Sequence, residues 1–215
     1  MTNRKSVSGI ISDAGLIAIV RSKTDAFCFE AVEALGSAGC HVVEATLTTP
    51  GALKLVSDVR ARLPKITMGI GSVLCVDHVL AAADAGAQFV VTPVLNTAVI
   101  KACNDADIPI VCGAYTPTEA QVAHDSGADF VKLFPADTLG AKYIKALLAP
   151  LPHLRIIPTG GVDITTIPDL FSAGCIAVAA GSNLVSEALL SNRDSDGIQT
   201  RAKLFVSTVA MARGA

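Results

Sequence analysis

Short apolar runs recur along the chain, and stretches with helical spacing separate them. Four runs share one signature, in which a small residue, a glycine and a second small residue precede the apolar segment. The glycines are Gly39, Gly86, Gly127 and Gly174. Each follows a helix-like stretch, such as 26–35, and glycine just past a helix end is typical because it adopts positive φ at little cost. The pattern therefore predicts a repeated helix–glycine–strand unit.

Four further apolar runs lie between the repeats and bring the number of predicted strands to eight. They cover 17–20, 66–70, 108–111 and 155–157. All eight are short and rich in Val and Ile, as strands buried on both faces should be. Eight strands alternating with helices predict an α/β fold with a parallel sheet, specifically a (β/α)8 TIM barrel. A doubly wound open sheet is the alternative, but the fourfold quasi-repeat favours closure.

Both ends of the chain add helices to this scheme. Val7, Ile10, Ile11 and Ala14 have helical spacing and Gly15 follows them, which predicts an extra N-terminal helix before the first strand. The apolar positions 198, 202, 205 and 209 predict a last amphipathic helix, and the polar segment 191–197 before it is predicted to be a loop. No domain boundary is visible, so residues 1–215 are expected to form a single barrel domain.

The composition excludes several classes of function. Hydrophobic residues make up 51% of the chain and charged residues only 17%, which argues against disorder. The net charge of −2 and the lack of a basic run argue against nucleic-acid binding. The longest uncharged stretch, 170–186, is too short and polar for a membrane span, and Asp13 and Gly15 break the resemblance of the N-terminus to a signal peptide. The six cysteines form no CxxC pair, which is typical of reduced thiols in a cytoplasmic protein.

Lys132 stands within a predicted strand and shares a face with Phe130 and Phe134. Lysine is almost never fully buried without a partner. Burial would lower its pKa, and a neutral amine is a nucleophile for carbonyl carbon. Lys132 is therefore a candidate Schiff-base residue; the alternative is that its strand is an exposed edge.

Glu44 shares a face with Val42 and Thr46 on another predicted strand. Inside a barrel it would be a buried carboxylate near a lysine, which either forms a structural ion pair or performs acid–base chemistry. The sequence leaves both open. His41 falls on the opposite face, where helix packing or surface exposure is expected. The histidines and cysteines show no metal-ligand spacing, so no metal site is predicted.

Glycine-rich turns end three of the predicted strands. Residues 158–161 and 180–183 follow the seventh and eighth strands, the two loops that bind phosphate in many barrels. Glycine lets backbone N–H groups approach an anion, so the pair predicts a phosphate site. After the third strand, Gly71 and Ser72 would admit a ligand and offer a hydroxyl, or simply form a tight turn.

These motifs together resemble the 2-keto-3-deoxy-6-phosphogluconate (KDPG) aldolase family of class I aldolases. The matching blocks are VEATLT at 43–48, GIGSVL at 69–74, VKLFPA at 131–136, PTGG at 158–161 and GSNLV at 181–185, in order within about 15–190. The resemblance implies a Schiff-base lysine at Lys132 and a general acid/base at Glu44. It implies substrate contacts from Ser72 and Thr159, and phosphate contacts from Gly160, Gly161 and Ser182.

One position departs from this family pattern. Thr48 stands where many members carry an arginine that binds the substrate carboxylate, and threonine cannot form a bidentate, charge-assisted pair. Arg21, after the first strand, is the candidate to replace part of that charge. The resemblance further implies a phosphorylated 2-keto acid substrate, no metal or organic cofactor, and a homotrimer.

Three rival functions differ in their substrate or in their chemistry. The same aldol cleavage could act on 4-hydroxy-2-oxoglutarate or on the phosphorylated galactonate isomer. A phosphate-binding isomerase would use Glu44 as a base and form no covalent adduct. A non-catalytic phosphate-binding module would merely pair Lys132 with Glu44.

Overall fold

Eight strands form the centre of the molecule in a computed structural model that describes residues 4–214. The strands are β1 (Leu16–Val20), β2 (Val42–Thr46), β3 (Thr67–Gly71), β4 (Phe89–Val91), β5 (Ile110–Ala114), β6 (Phe130–Leu133), β7 (Ile156–Pro158) and β8 (Val178–Ala180). Neighbours in sequence pair in parallel, and β8 pairs with β1. A bridge between Thr159 and Ala179 joins the remaining edges. The barrel prediction is confirmed, and the open-sheet alternative is wrong.

Residues 4–214 contain ten helices, which precede, surround or follow these strands. They are α1 (Arg4–Ala14), α2 (Cys28–Ser37), α3 (Ala52–Arg62), α4 (Val76–Asp84), α5 (Thr97–Asp105), α6 (Pro117–Asp125), α7 (Gly140–Leu148), α8 (Ile167–Ser172), α9 (Glu187–Ser191) and α10 (Ser195–Ala212). None of the helices between residues 4 and 214 is long and apolar enough to cross a membrane. The prediction that residues 1–215 form one domain reaches beyond the described residues and stays a prediction.

The repeated glycines occupy the helix ends that their pattern predicted. Gly39, Gly86, Gly127 and Gly174 follow the ends of α2, α4, α6 and α8 with φ values of 89°, 83°, 93° and 103°. This left-handed conformation is unfavourable for other residues and reverses the chain into the next strand.

The predicted extra N-terminal helix is confirmed as α1. It closes the lower end of the barrel, which is the end formed by the amino-terminal ends of the strands. Val7 and Ile11 of α1 pack with Ile17, Val42 and other inward-facing side chains of the strands. A second, larger cluster fills the layer between the strands and the outer helices. The barrel is therefore a packed core that is covered by α1 below.

The predicted loop at 191–197 is wrong in its second half. Only residues 192–194 connect α9 to α10, because α10 already begins at Ser195. The Asp194 side chain caps this helix by accepting a hydrogen bond from the Gly197 backbone N–H at 2.8 Å. Residues 195–197 are polar because they form the exposed, capped first turn of α10. Such a turn uses the same residue types as a loop.

Glu44 and Lys132 lie inside the barrel, on the inward faces of β2 and β6. Among residues 4–214 they are the only buried Asp, Glu, Lys or Arg residues, with exposed fractions of 2% and 5%. Gly71 on the adjacent strand β3 provides the space for Glu44, because a Cβ atom at position 71 would overlap the Glu44 carboxylate. Gly71 thus has a packing role beside a buried carboxylate, and the interpretation that it also admits a ligand stays a prediction.

Replacing Gly71 by alanine should destabilise the fold. The added methyl group must displace Glu44 in a closely packed interior, and overpacking of this kind costs about 1–3 kcal/mol. We expect the free energy of unfolding, measured by denaturant titration, to fall by that amount. Gly9→Ala in α1 is the matched control, since a Cβ atom there meets nothing within 4 Å. Equal unfolding midpoints for wild type and Gly71→Ala would contradict the packing account.

Candidate active site

A cavity of about 470 Å³ opens at the carboxyl ends of the strands. Its walls come from the chain that follows β1, β2, β6, β7 and β8. The lining residues are Ile19, Arg21, Ser22, Lys23, Thr48, Phe134, Thr159, Gly160, Gly161, Val162, Gly181, Ser182, Asn183, Val185 and Glu187. This is the end of the fold at which functional groups of (β/α)8 barrels gather.

The Lys132 amine lies just below this cavity. Its Nζ atom is 5.0 Å from the centre of the Phe134 ring, and Phe134 lines the cavity. Burial lowers the pKa of Lys132; the Glu44 carboxylate opposes this shift and the Arg21 guanidinium adds to it. The arrangement favours a neutral amine close to bound ligand.

Burial acts on Glu44 in the complementary direction. It raises the pKa of the Glu44 carboxyl, while the positive charges of Lys132 and Arg21 partly offset the rise. Lys132 and Glu44 feel each other's charge but form neither a salt bridge nor a hydrogen bond. Burial therefore drives both groups towards their neutral forms, while the attraction between their charged forms opposes this shift.

Thr159 brings an unpaired hydroxyl to the cavity wall. Its side chain is buried, and its Oγ1 atom has no hydrogen-bond partner among residues 4–214. A buried polar atom without a partner is costly, so it marks a place where a polar ligand atom would be stabilised.

Thr48 also lines the cavity, at the end of a chain of hydroxyl groups. Its Oγ1 atom is 2.9 Å from Thr46 Oγ1, which is 3.2 Å from Thr49 Oγ1. The Ser22 backbone N–H donates to Thr49 Oγ1 at 3.1 Å, which ties the loop after β2 to the loop after β1. These contacts orient the Thr48 side chain. Thr48 occupies the position at which many members of the resembled family carry a carboxylate-binding arginine.

The two glycine turns face the cavity together. Gly160 and Gly161 have left-handed φ values of 96° and 69°. The backbone N–H groups of Gly160, Gly161, Ser182 and Asn183 donate to no other backbone group of the described chain. Free amides on adjacent loops can bind an anion without a cationic side chain.

Arg21 and Ser72 end up in different surroundings. Arg21 is exposed, lines the cavity and acts electrostatically on both Glu44 and Lys132. Ser72 does not line the cavity; it is half-buried directly after Gly71 and has an unusual positive φ of 62°. The structure thus brings eight of the nine candidate residues to or just beneath one cavity and leaves Ser72 beside it.

Sequence reasoning missed five polar or aromatic groups of this cavity. Ser22, Lys23, Phe134, Asn183 and Glu187 all line it. Phe134 could have been found, because it shares a strand face with Lys132. Lys23 and Asn183 each stand one or two residues beyond a predicted site residue, whereas Glu187 gave no signal in the sequence. His41, in contrast, is exposed in a groove outside the barrel, as its strand face predicted.

No group of three or more His, Cys, Asp or Glu side chains within 4–214 has the geometry to hold a metal ion. The arrangement offers an amine of lowered pKa, a carboxyl group and a wall with unpaired backbone amides. It suits a small anionic molecule with a reactive carbonyl.

Comparisons with known proteins agree with this chemistry. A family model for aldolases, described as KDPG and KHG aldolase, matches residues 7–201. The chain is 36% identical over 167 residues to the 2-dehydro-3-deoxy-phosphogluconate aldolase of Haemophilus influenzae, covering 77% of this chain and 79% of that one. It is 35% identical over 171 residues to the 2-dehydro-3-deoxy-6-phosphogalactonate aldolase of Escherichia coli, covering 79% and 83%.

A solved structure shows the same fold with a captured reaction intermediate. The KDPG aldolase of Legionella pneumophila, with pyruvate captured as a covalent carbinolamine, is 25% identical and superposes with a TM-score of 0.85. The match covers 91% of this chain and 96% of that chain. From the family model and these relatives, we conclude that the chain belongs to the KDPG and KHG aldolase family of carbon–carbon lyases.

Proposed function

We propose that the protein is a class I aldolase that reversibly cleaves 2-dehydro-3-deoxy-6-phosphogluconate to pyruvate and glyceraldehyde 3-phosphate. One observation carries this proposal. Lys132 and Glu44 are the two buried charged side chains of residues 4–214, and they lie beneath a cavity that glycine loops help to line. Family membership and the carbinolamine of the Legionella relative support it.

Lys132 begins the reaction as a nucleophile. Its neutral amine attacks the C2 ketone of the 2-keto acid to form a carbinolamine, and loss of water then gives an iminium ion. The lowered pKa of Lys132 supports this role because only the unprotonated amine can attack. The missing salt bridge to Glu44 leaves the nitrogen lone pair free for the substrate.

Glu44 then moves the protons. Once Glu44 has given its proton to the hydroxyl that leaves the carbinolamine as water, its carboxylate accepts the proton of the C4 hydroxyl, directly or through water. The C3–C4 bond breaks at the same time, and the electron pair of that bond flows into the iminium. Glyceraldehyde 3-phosphate leaves, and the resulting enamine takes a proton from Glu44 at C3. Water hydrolyses the iminium, which releases pyruvate and restores Lys132. The raised pKa of Glu44 supports its role as a proton donor in these steps.

The two ends of the substrate have different partners in this proposal. The phosphate contacts Gly160, Gly161 and Ser182, whose loops present free amides. At the other end, the unpaired hydroxyl of Thr159 and the hydroxyl of Thr48 bind the carboxylate, and Arg21 supplies positive charge. Ser72 beside this carboxylate stays a prediction from the resemblance. No metal or organic cofactor takes part.

The galactonate isomer of the substrate is a specific second candidate. The Escherichia coli relative that is 35% identical acts on that isomer according to its name, and the same phosphate wall would fit both. 4-Hydroxy-2-oxoglutarate lacks a phosphate, so the glycine loops favour it least.

Borohydride reduction in the presence of pyruvate tests the covalent mechanism. Reduction of the iminium should fix a pyruvyl group on Lys132, which intact mass and peptide mapping would locate. Lys132→Met should remove the adduct, whereas Lys65→Met, an exposed lysine outside the cavity, should retain it. A wild type that binds phosphorylated ligand but gives no adduct would leave an isomerase or a binding module instead.

Parallel initial rates on the three substrates complete this test. We expect both phosphorylated acids to exceed 4-hydroxy-2-oxoglutarate in kcat/KM, and the gluconate form to exceed the galactonate form. A higher kcat/KM for 4-hydroxy-2-oxoglutarate would overturn the phosphate assignment, and a higher value for the galactonate form would change the named substrate.

A cytoplasmic location and a homotrimer belong to the same proposal. All six cysteines are free, and five of them are buried, as suits a reducing compartment.

The homotrimer is supported by exposed apolar side chains. Leu74, Val76 and Leu80 lie exposed at and around the start of α4, and Val94 lies exposed on the loop after β4. The Asn96 side chain joins these loops by donating to the Leu74 carbonyl at 3.1 Å. Adjacent exposed apolar side chains support an interface with further copies of the chain.

Disrupting this patch should separate the subunits. Leu80 is 56% exposed, so an aspartate there should leave folding intact but place a charge in the interface. We expect light scattering to give the mass of a trimer for wild type and of a monomer for Leu80→Asp. Leu204→Asp, at an equally exposed leucine on α10, is the control and should stay trimeric. A monomeric wild type would contradict the proposed trimer. A trimeric Leu80→Asp would contradict the proposal that the subunit interface lies at this apolar patch.

A further inference from the structure

Asn183 joins the two glycine turns of the cavity. Its side-chain Nδ2 group donates to the Val162 carbonyl at 3.0 Å, and this bond is partly buried. Val162 directly follows Gly160 and Gly161 after β7, whereas Asn183 directly follows Ser182 after β8. One side chain therefore spans the gap between the two turns and fixes their separation.

Arg201, which does not line the cavity, also forms a hydrogen bond with Asn183. Its Nη1 group donates to the Asn183 backbone carbonyl at 2.8 Å. Arg201 lies on α10 next to buried Ala202, and α10 is anchored by a row of buried apolar side chains. The helix backbone is therefore a fixed base from which the exposed Arg201 side chain reaches the turn after β8, although Arg201 lies outside the cavity lining.

The geometry points to Asn183 and Arg201 as positioning residues that set the affinity for the phosphate end of the substrate. We name this arrangement, Arg201 to Asn183 to Val162, the loop clamp. The inference rests on the proposed phosphate site at Gly160, Gly161 and Ser182. It assigns that site's geometry to Asn183, to which the resemblance gave no role, and to Arg201, which lies outside the family motifs described above.

The physical reason lies in the direction of backbone dipoles. A carbonyl oxygen repels a phosphate, and the clamp engages the carbonyls of Val162 and Asn183 with donors of their own. The amides of Gly160, Gly161, Ser182 and Asn183 stay unpaired among the described backbone groups. Backbone amides that are already held in place lose little conformational entropy when the phosphate binds. Less of the free energy of their hydrogen bonds is therefore spent on ordering the loops, and more of it contributes to affinity.

Losing the clamp should weaken phosphate binding and spare the chemistry at Lys132. For the phosphorylated substrate we expect KM to rise roughly fivefold in Asn183→Ala and roughly tenfold in Arg201→Met, since the second bond involves a charged donor. We expect kcat to stay within about twofold, because the covalent steps are made by other groups. Arg201→Lys, which keeps a cationic donor, should lie between wild type and Arg201→Met.

Two further readouts separate this role from a general loss of structure. Inorganic phosphate should inhibit wild type competitively, and its inhibition constant should rise in parallel with KM in the clamp variants. Pyruvate-dependent borohydride labelling of Lys132, which involves no phosphate, should be unchanged. Lys203→Met is the matched control, since Lys203 lies exposed two residues along α10 and should alter none of these values.

The possible failures are distinct. If phosphate inhibits wild type and the clamp variants equally, the clamp inference is overturned while the phosphate site stands. If labelling of Lys132 falls as much as phosphate affinity, the two residues support the whole barrel and the inference is also overturned. If wild type itself shows no inhibition by phosphate, the proposed phosphate site fails first and the clamp with it.

Discussion

The structure depends on the cost of burying Lys132 and Glu44 in an apolar barrel. Either charge alone would lose several kcal/mol of solvation on leaving water, and removing one partner would leave the other uncompensated. Burial raises the pKa of Glu44 and lowers that of Lys132, while each charge favours the charged form of the other. Gly71 makes room for the carboxylate without a gap. The pair is thereby kept close to neutrality and ready to exchange protons with a bound molecule.

The architecture gives this pair one functional end. Helix α1 covers the lower end of the barrel, and the cavity opens at the carboxyl ends of the strands. In the proposed function, the glycine turns after β7 and β8 supply amides for one end of an anionic substrate. Thr48 and the unpaired Thr159 hydroxyl are proposed to supply oxygen partners for the other end. The catalytic proposal therefore needs few charges, which agrees with a chain in which only 17% of residues are charged.

Periodicity and turn chemistry were enough to predict the barrel and its inward-facing Lys132 and Glu44. A charged residue within a short apolar run is a local signal, and so is glycine at a helix end. The loop clamp had no such signal, because Arg201 meets Asn183 only through the packing of α10 on the barrel. The role of Gly71 also required coordinates, since a glycine beside a ligand and a glycine beside a buried carboxylate look alike in sequence. The start of α10 was misassigned because helix caps and loops use the same polar residues.

The most direct test of the central claim is the pH dependence of adduct formation between Lys132 and pyruvate. The rate should rise with pH as the amine loses its proton, with a midpoint well below the ordinary lysine pKa of about 10.4. Glu44→Gln removes the charge that raises the pKa of Lys132, so its midpoint should shift to lower pH. Arg21→Ala removes a charge that lowers this pKa, so its midpoint should shift to higher pH. A wild-type midpoint at the ordinary lysine value, unmoved in both variants, would contradict the account.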